Sequence, residues 1–257
     1  MDHQAILKTN EAGVLTLKLN RPEAHNAFNL DLAKALGAAL DVASGDSACR
    51  VVVIRGSERA FSAGGDLKLF DQQIRENKSE FREVFALLNA AIDRIRGMDK
   101  PVIAAIRGPA YAAGFGLALA CDILVATHHS SLSPSFINVA LSPNASSSYF
   151  LPRLIGPKRA AEAFMRARVY SASEALSLGI LNHVWAEEVF EEELRKLAAD
   201  LAARPRATLA KIKRLVNASL ENQWLEQIEL ERELISLSSS EPDFAAGIAA
   251  FVAKKRK

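Results

Sequence analysis

Apolar and polar residues along the first part of the chain follow two different periods. Every second position of residues 14–19 is apolar, which predicts a half-buried strand. Continuous β-branched or small apolar runs predict strands buried on both faces at 49–54, 101–106 and 123–126. Helical spacing occurs at 30–42 and 81–96, and a small apolar helix is predicted at 112–120. Because helices of crossover length separate the strands, we predict an α/β fold with a largely parallel sheet covered by helices.

The pattern changes after about residue 188, where the chain becomes helical and more charged. The last strand is predicted at 184–185, and helices are predicted at 190–204, 207–219 and 220–237. We therefore divide the chain into a core, residues 1–188, and a C-terminal helical region, residues 189–257. The helices of this region carry apolar stripes with no strands left to cover, so we expect them to pack against another subunit.

Composition and charge narrow the functional classes. The chain has 257 residues, of which 49% are apolar and 24% charged, as in ordinary globular proteins. Its net charge of +2 gives no reason to expect nucleic-acid binding. The sequence has neither a signal-peptide pattern nor a membrane-spanning stretch, so we expect a cytoplasmic protein with no membrane partner. The basic run at 254–257 fits either a solvated tail or an anion contact.

The two cysteines give no sign of a disulfide framework. Cys49 and Cys121 could pair only with each other. Cys121 lies in the apolar run 117–121, which indicates a buried thiol.

Two glycine-bearing segments follow buried strands, at 61–67 and at 108–116. Backbone N–H groups at the junction between a strand and a helix have no partner in the helix and point outwards. Two such groups that converge on one point form an oxyanion hole, and small residues let a substrate carbonyl approach the backbone closely. Each segment alone is explained equally well by turns and tight packing, so neither defines a function by itself.

The order and spacing of seven motifs resemble those of one family, the crotonase (enoyl-CoA hydratase/isomerase) superfamily. The motifs are LNRPEAHNAF at 19–28, AFSAGGDL at 60–67, KPVIAAIRG at 100–108, LALACDI at 117–123, LPRLIG at 151–156, SEALSLGI at 173–180 and AFVAK at 250–254. The resemblance implies a crotonase-type spiral of repeated ββα units, with a C-terminal helical region that forms homotrimers or hexamers of two trimers. It also implies an acyl-CoA thioester as substrate, no cofactor besides the coenzyme A of that substrate, and no metal.

The resemblance assigns roles to residues of both glycine-bearing segments. The backbone N–H groups of Gly65 and Ala113 would bind the thioester oxygen, and the dipole of the helix beginning at Ala113 would favour negative charge there. The family usually has glycine where this chain has Ala112 and Ala113, so the methyl groups would tighten the pocket. The family's coenzyme A contacts fall on Glu23, Ala24, His25, Ala63, Asp66, Leu67 and Lys68, and the nucleotide end would meet Phe251 and Lys254, from this subunit or a neighbouring one.

The family's catalytic carboxylates are absent from the corresponding positions. The two glutamates of hydratases fall on Gly116 and Phe136, so we do not expect ordinary hydratase activity. The acid of the isomerase-like members falls on Asn144, whose amide can orient a substrate but cannot accept a proton at neutral pH. The histidine of the haloaromatic-CoA dehalogenase falls near Asn89. We therefore expect that Asn144→Asp, with its carboxylate partly desolvated, restores a base and raises isomerase activity by about 10²-fold or more.

Other side chains are weaker candidates for the base. Asp66 and Asp122 belong to motifs common to the whole family and are expected to be structural. The remaining candidates are His25, expected near the nucleotide, His128 and His129, expected in a solvated loop, and Glu80 and Glu83, expected on an exposed helix face. The serines at 146–148 lack an identifiable His–Asp relay, so a hydrolase triad is not expected.

The favoured function is an isomerase-like enzyme that stabilises a thioester enolate, with Gly65, Ala113 and Asn144 as catalytic residues. The acyl pocket is expected to be formed by Phe115, Gly116, Phe136 and Tyr149, with Phe70 and Leu88 as further wall candidates that could equally belong to the core. Three alternatives stay open at this point: a hydratase-like enzyme, a decarboxylase of a malonyl-type thioester, and an acyl-CoA-binding protein without activity.

Overall fold

The computed structural model describes residues 4–78 and 80–254, with the side chain of Lys254 and the remainder of the basic run at 254–257 outside the described part. The strands are β1 (Ile6–Glu11), β2 (Val14–Leu19), β3 (Val51–Arg55), β4 (Val102–Ile106), β5 (Pro109–Tyr111), β6 (Ile123–Thr127), β7 (Ser131–Ser133), β8 (Tyr170–Ser171) and β9 (His183–Trp185). The helices are α1 (Leu30–Gly45), α2 (Leu67–Arg75), α3 (Phe81–Gly97), α4 (Ala113–Ala120), α5 (Ser147–Ile155), α6 (Pro157–Arg166), α7 (Ala172–Ser177), α8 (Phe190–Ala203), α9 (Arg206–Ala218), α10 (Trp224–Ser239) and α11 (Pro242–Lys254). Short 3₁₀ helices lie at Pro22–Ala24 and Ser135–Val139.

The strands form two sheets. The larger has the order β1-β2-β3-β4-β6-β9, and the smaller has the order β5-β7-β8. In the larger sheet β1 and β2 are antiparallel, whereas the pairs from β2 to β9 are parallel. The predicted strand at 14–19 is β2, and the three continuous apolar runs contain β3, β4 and β6. The prediction of an α/β fold with a largely parallel sheet is therefore confirmed.

The chain passes repeatedly from a strand of the larger sheet to a strand of the smaller one, as β4 to β5 and β6 to β7. Two isolated parallel bridges extend the smaller sheet beyond its named strands. One joins Ser62 to Ala110 of β5, and the other joins Phe28 to Gly65. These bridges place the segments 62–65 and 109–111 side by side. The spiral therefore brings the two glycine-bearing segments of the sequence together.

The central strands face two separate apolar cores. Ile54 of β3 belongs to the larger core under α1, α3 and α4, whereas Val53 faces a smaller core. Helix α8 closes the smaller core with Phe190, Leu194 and Ala198. Helix α8 therefore packs with the core that we placed at 1–188, and it does cover strands, contrary to our expectation for the helices after residue 189. Among the described residues, no side chain of α9, α10 or α11 belongs to either apolar core.

A buried lysine fixes α9 to the core. The Nζ of Lys213 donates to the carbonyl oxygens of Ile95 at 2.6 Å and Lys100 at 2.9 Å, and lies 2.8 Å from Oδ2 of Asp122. The following helices, α10 and α11, expose large apolar side chains: Trp224, Leu225, Ile235, Phe244, Ile248 and Phe251. Among the described residues, no helix is both long enough and apolar enough to cross a membrane.

Candidate active site

The first glycine-bearing segment is held against Phe28. The Phe28 N–H donates to the carbonyl of Gly64 at 2.7 Å, and the Asp66 N–H donates to the carbonyl of Phe28 at 3.0 Å. These bonds use the groups on either side of Gly65, so the Gly65 N–H faces the opposite side, where the second segment lies. Gly64 has a φ of +100°, and a Cβ there would lie 3.0 Å from the Cβ of Ala112. A glycine is required at this position by both conformation and space.

The second segment presents a free N–H at the start of α4. The Ala112 N–H donates to the carbonyl of Ser133 at 2.9 Å, which fixes the turn. Ala113 is the first residue of α4, so its N–H has no acceptor within the helix. A Cβ on Gly64 would lie 3.5 Å from the Ala113 nitrogen, so the two segments are in contact. The backbone at Gly65 and the first turn of α4 thus lie next to each other, which is compatible with an oxyanion hole.

Ala112 adopts an unusual backbone conformation. Its φ is 45° and its ψ is −112°, a combination that side-chain-bearing residues rarely adopt. Such backbone strain persists where the surroundings enforce it, and it is concentrated at functional sites. Here the strained residue directly precedes the proposed N–H donor, and its methyl group lines the site.

A small cavity of about 140 Å³ opens beside these two segments. It is lined by Ala63, Gly65, Leu67, Phe70, Phe81, Phe85, Ala112, Ser135, Phe136, Asn138, Val139 and Leu141. Among these described residues, every side chain is uncharged at all ordinary pH values. The cavity therefore offers apolar walls and backbone donors, but no side chain that could act as a general base.

Two of the predicted coenzyme A contacts near the first segment, Ala63 and Leu67, line this cavity. The Ala63 N–H donates to the carbonyl of His25 at 3.0 Å, which sets residues 24 and 25 beside the turn. Leu67 and Lys68 are exposed at the start of α2. Asp66 is buried: it accepts from Arg21 at 2.9 Å and from the N–H of Leu69 at 3.2 Å.

Asp66 therefore caps α2 and holds Arg21, which is the structural role expected for it. Phe251 and Lys254 lie on α11, which packs against α10. Phe251 is not among the described residues that line the cavity, and the side chain of Lys254 lies outside the described residues.

In the loop from Leu141 to Tyr149, the side chain of Asn144 is hydrogen-bonded within the loop itself. The side-chain Oδ1 of Asn144 accepts the N–H of Ala145, so the amide is turned back onto its own loop. The carbonyl of Asn144 accepts the N–H of Ser147 at 3.2 Å and its Oγ at 2.7 Å. Ala145 and Ser146 both have positive φ, 51° and 59°. Asn144 is not among the residues that line the cavity.

The position of the first hydratase glutamate has no room for a side chain. A Cβ on Gly116 would lie 2.2 Å from the carbonyl oxygen and 2.6 Å from the Cβ of Ala145. Distances this short cannot be tolerated without moving the loop. The second position holds Phe136, which is buried and lines the cavity. At both positions to which the resemblance assigns a hydratase glutamate, the space is therefore occupied by packed groups.

The predicted acyl-pocket residues are not all brought together. Phe136 and Phe70 line the cavity, and Gly116 supports the loop behind it. Phe115 and Leu88 are fully buried and belong to the larger core, because α4 and α3 pack there. The guanidinium carbon of Arg153 lies 3.7 Å from the ring centre of Tyr149, and the Tyr149 hydroxyl donates to Glu221 at 3.2 Å. Tyr149 thus links α5 to the segment before α10, and Phe115 and Tyr149 are not cavity walls.

The alternative bases have structural partners. Glu80 accepts from Gln73 at 2.9 Å and its N–H donates back to Gln73 at 3.1 Å, which ties α2 to the start of α3. Glu83 pairs with Lys34 at 3.3 Å on an exposed surface. Asp122 accepts the N–H of Val102 at 2.8 Å in addition to Lys213. Asn89, His128 and His129 are exposed.

The two cysteines are separate, free and buried. Burial raises the pKa of both thiols, most strongly for Cys121. A thiol that stays protonated is a poor nucleophile, so neither cysteine is a candidate for covalent catalysis. Burial also lowers the pKa of Lys213 and of Arg96. The nearby negative charge of Asp122 raises both pKa values, but by less than burial lowers them.

Comparison with known proteins identifies the family. Residues 9–257 match the model of the enoyl-CoA hydratase/isomerase family. The chain is 31% identical to 4-chlorobenzoyl coenzyme A dehalogenase-2 of an Arthrobacter species, over 100% of this chain and 93% of the relative. It is 32% identical to 1,2-epoxyphenylacetyl-CoA isomerase of Escherichia coli K12, over 97% of this chain and 96% of the relative.

Solved structures agree with this assignment. The crystal structure of an enoyl-CoA hydratase from Polaromonas sp. JS666 has a TM-score of 0.92 and 35% identity, and the match covers 97% of each chain. The chain thus belongs to the enoyl-CoA hydratase/isomerase family, the crotonase superfamily that its motifs resemble. The crotonase fold with a C-terminal helical region is confirmed by the same match.

Several cavity walls were not singled out by the sequence patterns. Phe81 and Phe85 line the cavity from the first turns of α3, and Ser135, Asn138 and Leu141 line it from the segment after β7. The two phenylalanines are four residues apart, which places them on one helix face. That spacing was visible in the sequence, but it could not show which neighbour the face would meet.

Proposed function

We propose that this protein binds an acyl-CoA thioester and stabilises its enolate, as the isomerase-like members of the family do. The observation that carries this proposal is the contact between the segment at 64–65 and the N-terminus of α4, beside an apolar cavity. The family assignment supports the thioester, because the relatives named above carry a coenzyme A thioester in their names. The exposed residues around Ala24, Ala63, Leu67 and Lys68 would receive the pantetheine and nucleotide.

The chemistry follows from where negative charge develops. When a carbanion forms next to a thioester, its charge moves to the carbonyl oxygen, where two N–H donors in a water-poor site stabilise it. Each such donor contributes on the order of 2.7–4 kcal/mol in the transition state. The dipole of α4 acts in the same direction, because the N-terminal end of this helix faces the oxygen.

The candidate reactions differ in how the carbanion is formed and in which side chains that step requires. Hydration needs carboxylates to activate water, and Gly116 and Phe136 stand at those positions. Isomerisation needs one base close to the acyl carbons, and its usual position holds Asn144. We therefore infer an isomerase-like enzyme whose base is supplied from outside the described cavity walls.

A second candidate is decarboxylation of a malonyl-type thioester. In that reaction the carbon–carbon bond breaks, CO₂ leaves and the bond's electron pair forms the enolate, which a solvent proton then converts to the product. No protein base is needed to start it. The uncharged lining of the cavity favours this candidate, since all twelve lining residues lack an ionisable side chain.

The test is a panel of CoA thioesters followed by mass spectrometry. Turnover of a 3-enoyl-CoA would support the isomerase-like function, and CO₂ release from methylmalonyl-CoA would support decarboxylation. Calorimetry with acetyl-CoA measures binding independently of turnover. Binding without turnover of any panel member would support an acyl-CoA-binding protein, and absence of binding at millimolar ligand would contradict the whole proposal.

We also propose that the protein assembles as a homotrimer or as a hexamer of two trimers. In the described part of the chain, helices α10 and α11 expose the large apolar side chains of Trp224, Leu225, Phe244 and Ile248. A neighbouring subunit on this surface would also bring its α11 to the nucleotide end of the site. Sedimentation at micromolar concentration tests this, and a compact monomer would contradict it.

A further inference from the structure

Four phenylalanine rings form the walls of the cavity beside Gly65. They come from three parts of the chain: Phe70 from α2, Phe81 and Phe85 from α3, and Phe136 from the 3₁₀ helix at Ser135–Val139. The ring centres of Phe70 and Phe81 are 5.2 Å apart at an interplanar angle of 71°, and those of Phe81 and Phe85 are 4.7 Å apart. Phe70, Phe81 and Phe85 are therefore packed as one aromatic cluster, and Phe136 lines the same cavity.

The size of the cavity matches one aromatic ring. Its volume is about 140 Å³. An apolar cavity of about 150 Å³ in another protein binds benzene, which gives the scale for a six-carbon ring. A straight chain of ten carbons has more atoms than this space holds, so it would fit only if the walls moved.

The aromatic walls are continuous with the thioester site. A Cβ placed on Gly65 would lie 2.9 Å from Cε2 of Phe70 and 3.6 Å from Cζ of Phe85. A group bound at the Gly65 N–H therefore has these rings as its immediate neighbours. A ring attached to the thioester carbonyl directly, or through one carbon, would lie among the phenylalanines while the carbonyl oxygen meets the N–H.

We propose that the acyl group of the substrate is an uncharged aryl group, as in a benzoyl or phenylacetyl thioester of coenzyme A. This inference rests on the proposed function of the same site. Aromatic pairs with ring centres about 4.5–7 Å apart gain attraction beyond the burial of area, which favours a ring over an alkyl chain. The polar side chains in the lining, Ser135 and Asn138, are neutral, so a charged ring substituent would have no ionic partner there.

The experiment compares four ligands by calorimetry: acetyl-, decanoyl-, benzoyl- and phenylacetyl-CoA. We expect the tighter of the two aryl thioesters to bind at least about tenfold more tightly than decanoyl-CoA, a difference of about 1.4 kcal/mol. Equal or tighter binding of decanoyl-CoA would overturn the aryl inference while leaving the thioester function intact. If no thioester binds at all, the proposed function itself fails, so the two failures are distinguishable.

A variant of the cluster sharpens the test. Phe81 is only partly buried, and Phe81→Ala enlarges the cavity by one ring. We expect this variant to lose the preference for aryl thioesters and to bind decanoyl-CoA more tightly than the unmodified protein does. Loss of folding stability alone would weaken all ligands together and would not reverse a preference.

The matched control is Phe164→Ala, which removes a partly buried ring on α6 that does not line the cavity. It should leave the order of the four ligands unchanged. If Phe81→Ala does not fold, Phe81→Leu keeps most of the apolar volume and should still reduce the aryl preference by about threefold. A full aryl preference in the folded Phe81 variant would overturn the assignment of the ring to this cavity.

Discussion

The corner at Gly65 and Ala113 and the loop from 141 to 149 both belong to the candidate site. They differ in how closely their residues follow the motifs of the family. At the corner formed by Gly65 and Ala113, the two backbone segments that we propose to bind an oxyanion are in contact, with alanine at 112 and 113. The loop from 141 to 149, on the other side, has no carboxylate at Asn144, and Ala145 fills the space beside Gly116.

The difference lies in which part of a residue performs the function. Every residue except proline carries a backbone N–H, so the corner tolerates changes of side chain as long as the backbone path is held. Proton transfer depends on a particular side chain, and its loss cannot be compensated by a neighbour of the wrong type. Binding and polarisation of a thioester therefore do not depend on the carboxylates that hydration requires.

The largest expected effect comes from removing a donor at the corner. Gly65→Pro deletes the proposed N–H while leaving intact the bonds that Gly64 and Asp66 make to Phe28. We expect kcat on the best thioester of the panel to fall by about 10²–10³-fold, or about 2.7–4 kcal/mol. The carbonyl stretch of the bound thioester in Raman spectra should move back towards its value in water.

Gly65→Ala is the matched control for this variant. It adds the same Cβ, and hence the same contact with Phe70, but keeps the N–H. A similar loss in both variants would mean that crowding against Phe70 explains the effect. A change of less than about tenfold in Gly65→Pro would mean that Gly65 is not an oxyanion donor.

Adding one methyl group at the loop should reduce stability. Gly116→Ala places a Cβ 2.2 Å from the carbonyl oxygen of Ala145, so either α4 or the loop must move. We expect the free energy of unfolding to fall by about 1–3 kcal/mol, as for overpacking in other cores. Urea unfolding monitored by circular dichroism measures it.

Gly37→Ala provides the contrast. Gly37 lies inside α1, and a Cβ there meets nothing within 4 Å. This change should raise stability by about 0.4–1 kcal/mol, because alanine restricts the unfolded chain and favours the helix. If Gly116→Ala is as stable as Gly37→Ala, the loop is free to retreat, and the site has room for a glutamate after all.

The pH dependence of stability tests the packing of α4, the helix that positions Ala113. Cys121 follows this helix, and burial raises the pKa of its thiol above the ordinary value of 9.0. Below pH 9.0 the thiol is protonated in both the folded and unfolded chain, so its contribution is constant. Above it the unfolded chain binds fewer protons than the folded one, and stability falls as the pH rises.

We expect this group to remove up to about 1.4 kcal/mol per pH unit above its ordinary pKa. Cys121→Ala should show a shallower decline between about pH 9 and about pH 10 in urea unfolding. Equal slopes in both proteins would show that the folded chain exposes this thiol to water, and hence that α4 is not closely packed there.

The predictable parts of the fold are those whose pattern is local. The alternation in residues 14–19 is reproduced by β2, because one face of that strand packs on the core and the other does not. The role of α8 was not predictable in this way, since Phe190 and Leu194 show that the helix has an apolar face but not that the face meets Val53 and Val125. Long-range partners are set by topology rather than by period.

In the candidate site too, only the features that depend on local sequence could be predicted. The donor positions Gly65 and Ala113 follow from motifs with a fixed order in the chain. The walls Phe81 and Phe85 become part of the site only when α3 packs against α2, and Phe115 faces the core because of how α4 is rotated. Side-chain direction across an interface between elements could not be taken from the motifs.

The smallest expected effect concerns Asn144→Asp. In the sequence, this position suggested a missing base, and an aspartate there was expected to raise isomerase activity by about 10²-fold or more. The fold changes that expectation, because Oδ1 of Asn144 accepts the N–H of Ala145 and the residue is not a wall of the cavity. A carboxylate in the same place would accept the same N–H, which favours its ionised form and lowers its pKa.

Such a carboxylate would remain ionised but would be directed at its own loop instead of at the acyl carbons. A base contributes only when it reaches the proton that it removes, so geometry limits the gain before its pKa does. We therefore expect Asn144→Asp to raise turnover of 3-enoyl-CoA by less than about tenfold, with Asn144→Ala as the control for loss of the loop's hydrogen bond. A gain of about 10²-fold would mean that the loop turns towards the substrate on binding. In that case, a single substitution in the loop would be enough to supply the base, and the two regions would differ in only that residue.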